Sequence, residues 1–222
     1  FDSEFLLNVD SEIITNICLT LKCNPNSIKN ISVINAGLTN VSFAFECNEK
    51  KYVYRHPGGT AGNLINRQAE LFAQLAAKKC GIDKSVIYME LSGWKISYYV
   101  PNARNCDFEK SDVQLAVAME YLHRLHTIKP DESVKIFDNV AEGIKLMDIA
   151  STTKGNLRRE FADLIEKVER LYSLVKADAK RLGCGLVLCH NDTYEPNYLY
   201  DDKGEIYLID WEYAGLNYAA ND

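Results

Sequence analysis

Three oxygen-bearing side chains near the end of the chain have the spacing that phosphoryl transfer requires. Four residues separate Asp192 from Asn197, and Asp210 lies eighteen residues after Asp192. One carboxylate would orient the attacking hydroxyl and accept its proton, while an amide oxygen and a second carboxylate would hold Mg²⁺ against the phosphates of ATP. The pattern predicts a phosphoryl-transfer centre with Asp192 as the base and with Asn197 and Asp210 as metal ligands.

Short apolar segments on both sides explain how these residues would be brought together. Residues 186–189 and 206–209 are predicted strands, and Asp210 directly follows the second one. A buried strand is a rigid support for a metal ligand. The loop between the two strands would carry Asp192 and Asn197 to the same side of a cleft.

Two other polar features of this segment receive structural interpretations. His190 is predicted to be a structural histidine that bonds nearby backbone, not the general base. The acidic pair Asp201-Asp202 precedes Lys203-Gly204, which favours a solvated hairpin turn over a calcium-binding loop.

The rest of the chain is β-rich at first and mainly helical later. A linker near residues 100–105 joins the two pieces, and the cleft between them would be a ligand site. Periodicity predicts helices over 10–21, 63–79, 111–126 and 156–182, and strands over 31–35, 41–47, 51–55, 85–90 and 94–100.

Composition excludes several classes of protein. The chain of 222 residues is 47% hydrophobic and 25% charged, as expected of a globular protein, and its net charge of -6 disfavours a nucleic-acid surface. No window approaches the roughly 18 apolar residues that span a bilayer, so no membrane insertion is expected. The start lacks a basic segment and is interpreted as a fragment edge, not as a signal peptide.

The seven cysteines include no Cys-x-x-Cys pair, and the four histidines show no zinc-ligand spacing relative to them. Reduced thiols in a cytoplasmic protein are therefore expected. Cys184 and Cys189 flank an apolar run and are predicted to be buried.

The segment around the predicted centre resembles the choline/ethanolamine kinases, within the aminoglycoside-phosphotransferase-like group of protein-kinase-related folds. Protein kinases have Phe-Gly after the metal-binding Asp, whereas Trp211-Glu212 stands here, which argues against a protein kinase. The resemblance covers about residues 31–222. The residues that carry it are His190, Asn191, Asp192, Asn197, residues 208–214, Asn217, Tyr218 and Asp222.

The resemblance also implies a nucleotide site in the N-terminal half. Arg55 would contact the phosphates, Glu70 would pair with Arg55, and the hinge backbone near Val100 would meet adenine. Thr39 and Asn40 belong to a Gly-Leu-Thr-Asn turn that resembles the family's short phosphate-covering turn. The implied cofactors are ATP and Mg²⁺.

The implied fold is α+β and bilobal, like that of the protein kinases. Residues 1–100 would form an N-lobe with an antiparallel sheet and a helix. Residues 101–222 would form a mainly helical C-lobe with a small β hairpin, incomplete at its C-terminal end.

The expected acceptor is a small amino alcohol. A quaternary ammonium cannot donate hydrogen bonds, so aromatic faces and carboxylates would hold it. Choline is favoured, followed by ethanolamine and then by an aminoglycoside or another aminated or sugar substrate. A pseudokinase-like nucleotide-binding module is the alternative of another class. The residues implied for the acceptor are Asp192, Glu212, Tyr213, Tyr218 and Asp222.

Overall fold

A five-stranded antiparallel sheet forms the N-terminal part of the protein. The computed structural model describes residues 11–36, 40–58 and 65–222. The strands lie in the order β1-β2-β3-β5-β4. They are β1 (Ile28–Ala36), β2 (Asn40–Cys47), β3 (Lys50–Pro57), β4 (Val86–Met89) and β5 (Lys95–Tyr98).

An aromatic core covers one face of this sheet. Tyr54 stacks on Phe43 with ring centroids 5.2 Å apart and on Trp94 at 5.8 Å. Helix α1 (Ser11–Leu21) buries Ile13 against the same cluster, which agrees with the helix predicted from residue 10 or 11 onward. The N-terminal helix therefore serves to close the sheet's apolar face.

Helix α2 (Arg67–Lys79) joins the sheet to the later part of the chain. The predicted helix began at residue 63; residues 63 and 64 lie outside the described residues, and the helix begins after Asn66, whose side chain caps it. Alanines 69, 73 and 77 follow helical spacing, and all three are buried in one cluster with Leu188 and Trp211. Their small side chains allow α2 to pack closely on elements that follow residue 100. The division into domains at that residue stays a prediction.

The later part is mainly helical, and one prediction for it is wrong. The helix expected over 156–182 is interrupted at Phe161, whose φ of -108° and ψ of 19° are not helical. The helix over 139–154 was not predicted. Apolar side chains on it, such as Leu146 and Ile149, are exposed, so the helix lacks the buried apolar stripe by which a helix is recognised in a sequence. The helices are α3 (Asp112–His126), α4 (Asn139–Lys154), α5 (Leu157–Glu160) and α6 (Ala162–Leu182).

Two small sheets support the predicted centre. The strands expected over 186–189 and 206–209 exist but belong to different sheets, and part of the segment between them, interpreted as irregular, is a strand. Cys184 is exposed, contrary to prediction, because it follows the end of α6 and not the buried strand. One sheet pairs β7 (Val187–Cys189) with β10 (Gly215–Asn217), and the other contains β6 (Arg104–Asn105), β8 (Tyr198–Tyr200) and β9 (Ile206–Leu208).

Within the described residues, no helix combines the length and apolar character needed to cross a membrane.

Candidate active site

The loop after β7 brings the predicted base and a predicted metal ligand into direct contact. The Asn197 amide nitrogen donates to Asp192 Oδ2 at 2.9 Å and to the Asp192 carbonyl at 2.8 Å. The amide nitrogen of Asn197 is thereby committed, and its Oδ1 is left as the acceptor atom. This arrangement fixes the rotamers of both side chains before any ligand binds.

Asp210 is joined to this loop through the residue before it. The backbone N–H of Ile209 donates to the Asn197 carbonyl at 2.9 Å. His190 Nε2 donates to the Ile209 carbonyl at 2.9 Å, and its Nδ1 accepts the Asp192 N–H at 3.3 Å. Burial lowers the pKa of His190, and the bond to Ile209 only partly opposes this. The side chain is a neutral imidazole between the loop and the strand end, which is the structural role predicted for it.

Two residues of the site have a left-handed backbone. Asn191 and Asp210 both have a φ of 66°, a conformation that is uncommon outside glycine. Asn191 is held there by its side chain, which donates to the Tyr213 carbonyl and accepts from Asn217 and Asn221. The surrounding hydrogen bonds therefore stabilise a backbone that the chain alone would disfavour.

The Asp222 carboxylate is part of this support, and the prediction that it contacts the acceptor needs correction. It accepts the N–H groups of His190 at 2.9 Å and Asn191 at 2.7 Å, and His126 Nε2 lies 3.0 Å from it. The side chain has no exposed surface. Its oxygens are occupied by the loop backbone, which orients the segment that carries Asp192.

The Asp222 carboxylate lies close to His126 and Cys189, although the three residues are far apart in the sequence. Candidate ligand atoms of His126, Cys189 and Asp222 lie within 4.8 Å of one another. Burial raises the pKa of the Cys189 thiol, which donates to the Tyr218 carbonyl at 3.5 Å. A protonated thiol with a carbonyl acceptor is a structural group, and it fastens β7 to the segment around Tyr218.

A cavity of about 530 Å³ lies between the sheet and later residues that include Leu199, Ile209 and Asp210. Four residues predicted for the nucleotide or metal line it: Asn40, Arg55, Val100 and Asp210. The predicted Thr39 lies outside the described residues. No backbone hydrogen bond joins Val100 to another described residue, so its polar groups remain available to a ligand. A cavity of this size is typical of a small-molecule site.

Buried charges surround the Arg55 guanidinium. Its Nη2 lies 2.5 Å from Glu70 Oε1 and donates to the Gly93 carbonyl at 2.8 Å, while Nη1 is 3.8 Å from Asp210 Oδ1. The second oxygen of Glu70 pairs with Arg67 at 2.6 Å. The structure therefore joins Arg55 and Glu70 as predicted and places Nη1 of Arg55 near the Asp210 carboxylate.

The residues predicted for the acceptor do not line this cavity. Glu212 is almost fully buried and accepts a hydrogen bond from Asn40 at 2.7 Å. Tyr213 contacts Phe137 edge-to-face, and burial raises its pKa, with the charges of Glu212, Asp192 and Asp210 adding to the effect.

Sequence reasoning assigned no role to Arg67, Gly93 or Lys95. Lys95 lines the cavity, and Gly93 has a φ of 103° and supplies the carbonyl that holds Arg55. Two features of the sequence could have drawn attention to these residues: Lys95 lies within a predicted strand, and Gly93 lies in the short hairpin turn before it.

Comparisons with known proteins show the family to which this chain belongs. A family model described as choline/ethanolamine kinase matches residues 31–222. Protein LicA of Haemophilus influenzae is 27% identical over 191 residues, which cover 82% of this chain and 52% of that protein. The chain therefore spans about half the length of this relative. Ethanolamine kinase 2 of Mus musculus is 42% identical over 59 residues, which cover 26% of this chain and 15% of that protein.

A solved structure extends the comparison to the fold. The crystal structure of choline kinase LicA from Streptococcus pneumoniae superposes with a TM-score of 0.62 at 21% identity. The superposition covers 94% of this chain and 70% of that one. The predicted α+β, protein-kinase-like fold is confirmed.

Proposed function

Because this chain belongs to the choline/ethanolamine kinase family, we propose that it transfers the γ-phosphoryl group of ATP to the hydroxyl of a small amino alcohol. The observation that carries the proposal is the contact of Asp192 with Asn197, 2.9 Å, in a loop that is hydrogen-bonded to Ile209, the residue before Asp210. Asp210 lines a cavity together with Arg55. This set supplies a base, oxygen ligands and a phosphate-binding cation, which are the parts that phosphoryl transfer requires.

ATP would occupy the cavity with its adenine near Val100 and its phosphates near Arg55. Val100 lines the cavity, and no backbone hydrogen bond joins it to another described residue. Arg55 presents buried guanidinium nitrogens without hydrogen-bond partners in the described part of the chain. Phosphate oxygens would satisfy these donors.

The donor set of Asn197 and Asp210 fits Mg²⁺. Asn197 uses its nitrogen for Asp192 and keeps Oδ1, and the Asp210 side chain is 42% exposed at the cavity. Carboxylate and amide oxygens are the ligands this hard cation prefers. When bound, the ion would neutralise charge on the phosphates that are being transferred.

Asp192 would act on the acceptor. Its Oδ2 is bonded to Asn197, and its Oδ1 has no hydrogen-bond partner among the described residues. Oδ1 would accept the proton of the acceptor hydroxyl as that oxygen forms a bond to the γ-phosphorus and the bond to ADP breaks. Most of the rate enhancement would come from positioning the two oxygens in line.

Choline is the acceptor we favour, with ethanolamine as the second candidate. LicA, the relative that matches 82% of this chain, shares its name with a solved choline kinase. Ethanolamine kinase 2 of Mus musculus is more similar, at 42%, but over only 59 residues. Tyr213, Tyr218 and Glu212 would contact the cationic group, since aromatic faces and a carboxylate suit an ammonium.

The test is acceptor-dependent release of ADP by the full-length protein with MgATP. The panel contains choline, ethanolamine, an aminoglycoside and a neutral sugar. We expect the highest kcat/KM with choline and a lower value with ethanolamine. Equal ADP release with and without every amino alcohol would contradict the proposal. Binding of ATP without any turnover would favour the pseudokinase-like alternative.

A further inference from the structure

A second cation lines the nucleotide cavity, and the mechanism above gives it no role. Lys95 on β5 is the register partner of Arg55 on β3. Residues directly opposite each other in an antiparallel pair project from the same face of the sheet. Both side chains therefore leave the sheet on the cavity side, and both line the cavity together with Asp210.

The Lys95 ammonium is held by a neutral group. Its Nζ donates to Gln74 Oε1 at 3.0 Å, and Gln74 Nε2 donates to Asp83 Oδ2 at 2.9 Å. Asp83 also accepts the N–H and the hydroxyl of Ser85. Because the amide nitrogen of Gln74 faces Asp83, its oxygen must face Lys95, which fixes the direction of the lysine.

This network leaves the positive charge of Lys95 without a direct counterion. Within the described part of the chain no carboxylate forms an ion pair with Lys95, and its one hydrogen bond is to Gln74. Burial lowers the pKa of Lys95 and the Arg55 guanidinium lowers it further, against the opposing charges of Asp83, Asp210 and Glu70. Two neighbouring cations repel each other, and an ammonium that leaves water without an anion is costly.

Arg55 also has donor groups that no described residue satisfies. Its Nε and Nη1 are buried and have no hydrogen-bond partner among the described residues. The two cations thus present unused donors to one space, which Asp210 also borders. An anion with several oxygens would satisfy these donors and remove the repulsion between the two charges.

We propose that Lys95 and Arg55 form a two-cation site for the nucleotide phosphates, in which Lys95 is a phosphate ligand and Gln74 is its positioning residue. This inference rests on the proposed use of ATP and adds to Arg55 a second residue that distinguishes a nucleotide from its nucleoside. Lys95 contributes little to adenosine binding and much to ADP binding.

Calorimetric binding of ADP and of adenosine to the full-length protein tests the inference. Lys95→Met removes the charge but keeps a long apolar side chain in the strand. We expect ADP affinity to fall about 10- to 100-fold, as for loss of a charged hydrogen bond, and adenosine affinity to stay within about twofold. Lys95→Arg should recover part of the ADP affinity. The matched control is Lys29→Met, an exposed lysine on β1 of the same sheet, which should leave both affinities unchanged.

The Gln74→Leu variant tests the positioning role with the same readout. It keeps the lysine and should lower ADP affinity by a smaller factor than Lys95→Met, again without changing adenosine binding. Thermal unfolding of each variant identifies any that fail to fold, in which case Lys95→Gln replaces Lys95→Met.

The outcomes separate the inference from the proposed function. If the wild-type protein prefers ADP to adenosine and Lys95→Met retains that preference, Lys95 is not a phosphate ligand while ATP use stands. If Lys95→Met weakens ADP and adenosine equally, its role is structural and the inference is overturned. If the wild-type protein does not prefer ADP to adenosine, no phosphate site exists and both proposals fail.

Discussion

The loop after β7 is held by hydrogen bonds between its backbone and a buried carboxylate, whereas on the sheet side of the cavity Arg55 is held chiefly by the opposite charge of Glu70. Asp192 and Asn197 lie in a loop whose N–H groups bind the Asp222 carboxylate. Arg55 and Glu70 lie among buried ionic groups, with Arg67 on the far side of the glutamate.

The difference indicates which property each side controls. Because hydrogen bonds to backbone fix the loop that carries Asp192, we propose that the loop side controls kcat. Because buried charges gain or lose stabilisation when an anion enters, we propose that the sheet side controls nucleotide affinity. Variants on the two sides should therefore affect different kinetic constants.

Asp222→Asn should have the largest effect on stability, and it should disrupt the hydrogen bonds that hold the loop carrying Asp192. The amide offers one acceptor where the carboxylate accepts two backbone N–H groups, and its NH₂ faces donors. We expect a loss of about 2–3 kcal/mol in the free energy of unfolding and a fall in kcat, with ADP affinity near normal. Urea unfolding and steady-state kinetics measure these quantities. Asp178→Asn, an exposed aspartate on α6, is the control, and an equal effect of both variants would refute the support role.

Gly93→Ala should come next and should perturb the sheet side alone. A Cβ at this residue would lie 2.6 Å from Arg67 Nε, and the φ of 103° is strained for alanine. We expect a loss of about 1–3 kcal/mol in the free energy of unfolding and weaker ADP binding, because the Gly93 carbonyl holds Arg55.

Gly143→Ala is the matched control for this prediction. No atom lies within 4 Å of a Cβ built at Gly143, which is in helix α4. This variant should be neutral or should gain up to about 1 kcal/mol. A Gly93→Ala protein as stable as Gly143→Ala would show that the hairpin adapts without strain.

The pH dependence of ADP binding should show the smallest effect. The pKa of Lys95 is lowered by burial and by Arg55, although Asp83, Asp210 and Glu70 oppose this. As pH rises through that pKa, the free protein loses the Lys95 proton and must regain it to bind phosphate. ADP affinity should therefore decrease as the pH rises, and the decrease should begin at a lower pH than the one at which an ordinary lysine loses its proton. Adenosine affinity should not change over this range.

Lys95→Arg sharpens the pH measurement, because arginine keeps its charge throughout the range. A decline that persists in Lys95→Arg would show that a group other than Lys95 causes the pH dependence.

The sequence predicted the contacts that depend on short spacing. Asp192 and Asn197 have four residues between them in one loop, and their contact follows from a local turn. The Arg55–Glu70 pair depended on the family resemblance, because its partners lie on a strand and on a helix.

The sequence could not predict contacts made by residues that converge from distant elements. Asp222 was assigned to the acceptor because an isolated carboxylate resembles a cation ligand. Only the fold shows that His126 and the backbone of His190 occupy its oxygens. Lys95 and Gln74 escaped notice for the same reason, since they meet only when β5 packs beside α2.

The most direct test of the separation between the two sides is a comparison of Asp192→Asn with the wild-type full-length protein. Formation of phosphocholine from ATP and choline is followed by ³¹P NMR, and ADP binding by calorimetry. Loss of a general base typically costs about 10²–10⁴-fold in rate, so the variant should form almost no phosphocholine while binding ADP as tightly as the wild type. Phosphocholine formation by Asp192→Asn at the wild-type rate would contradict the account.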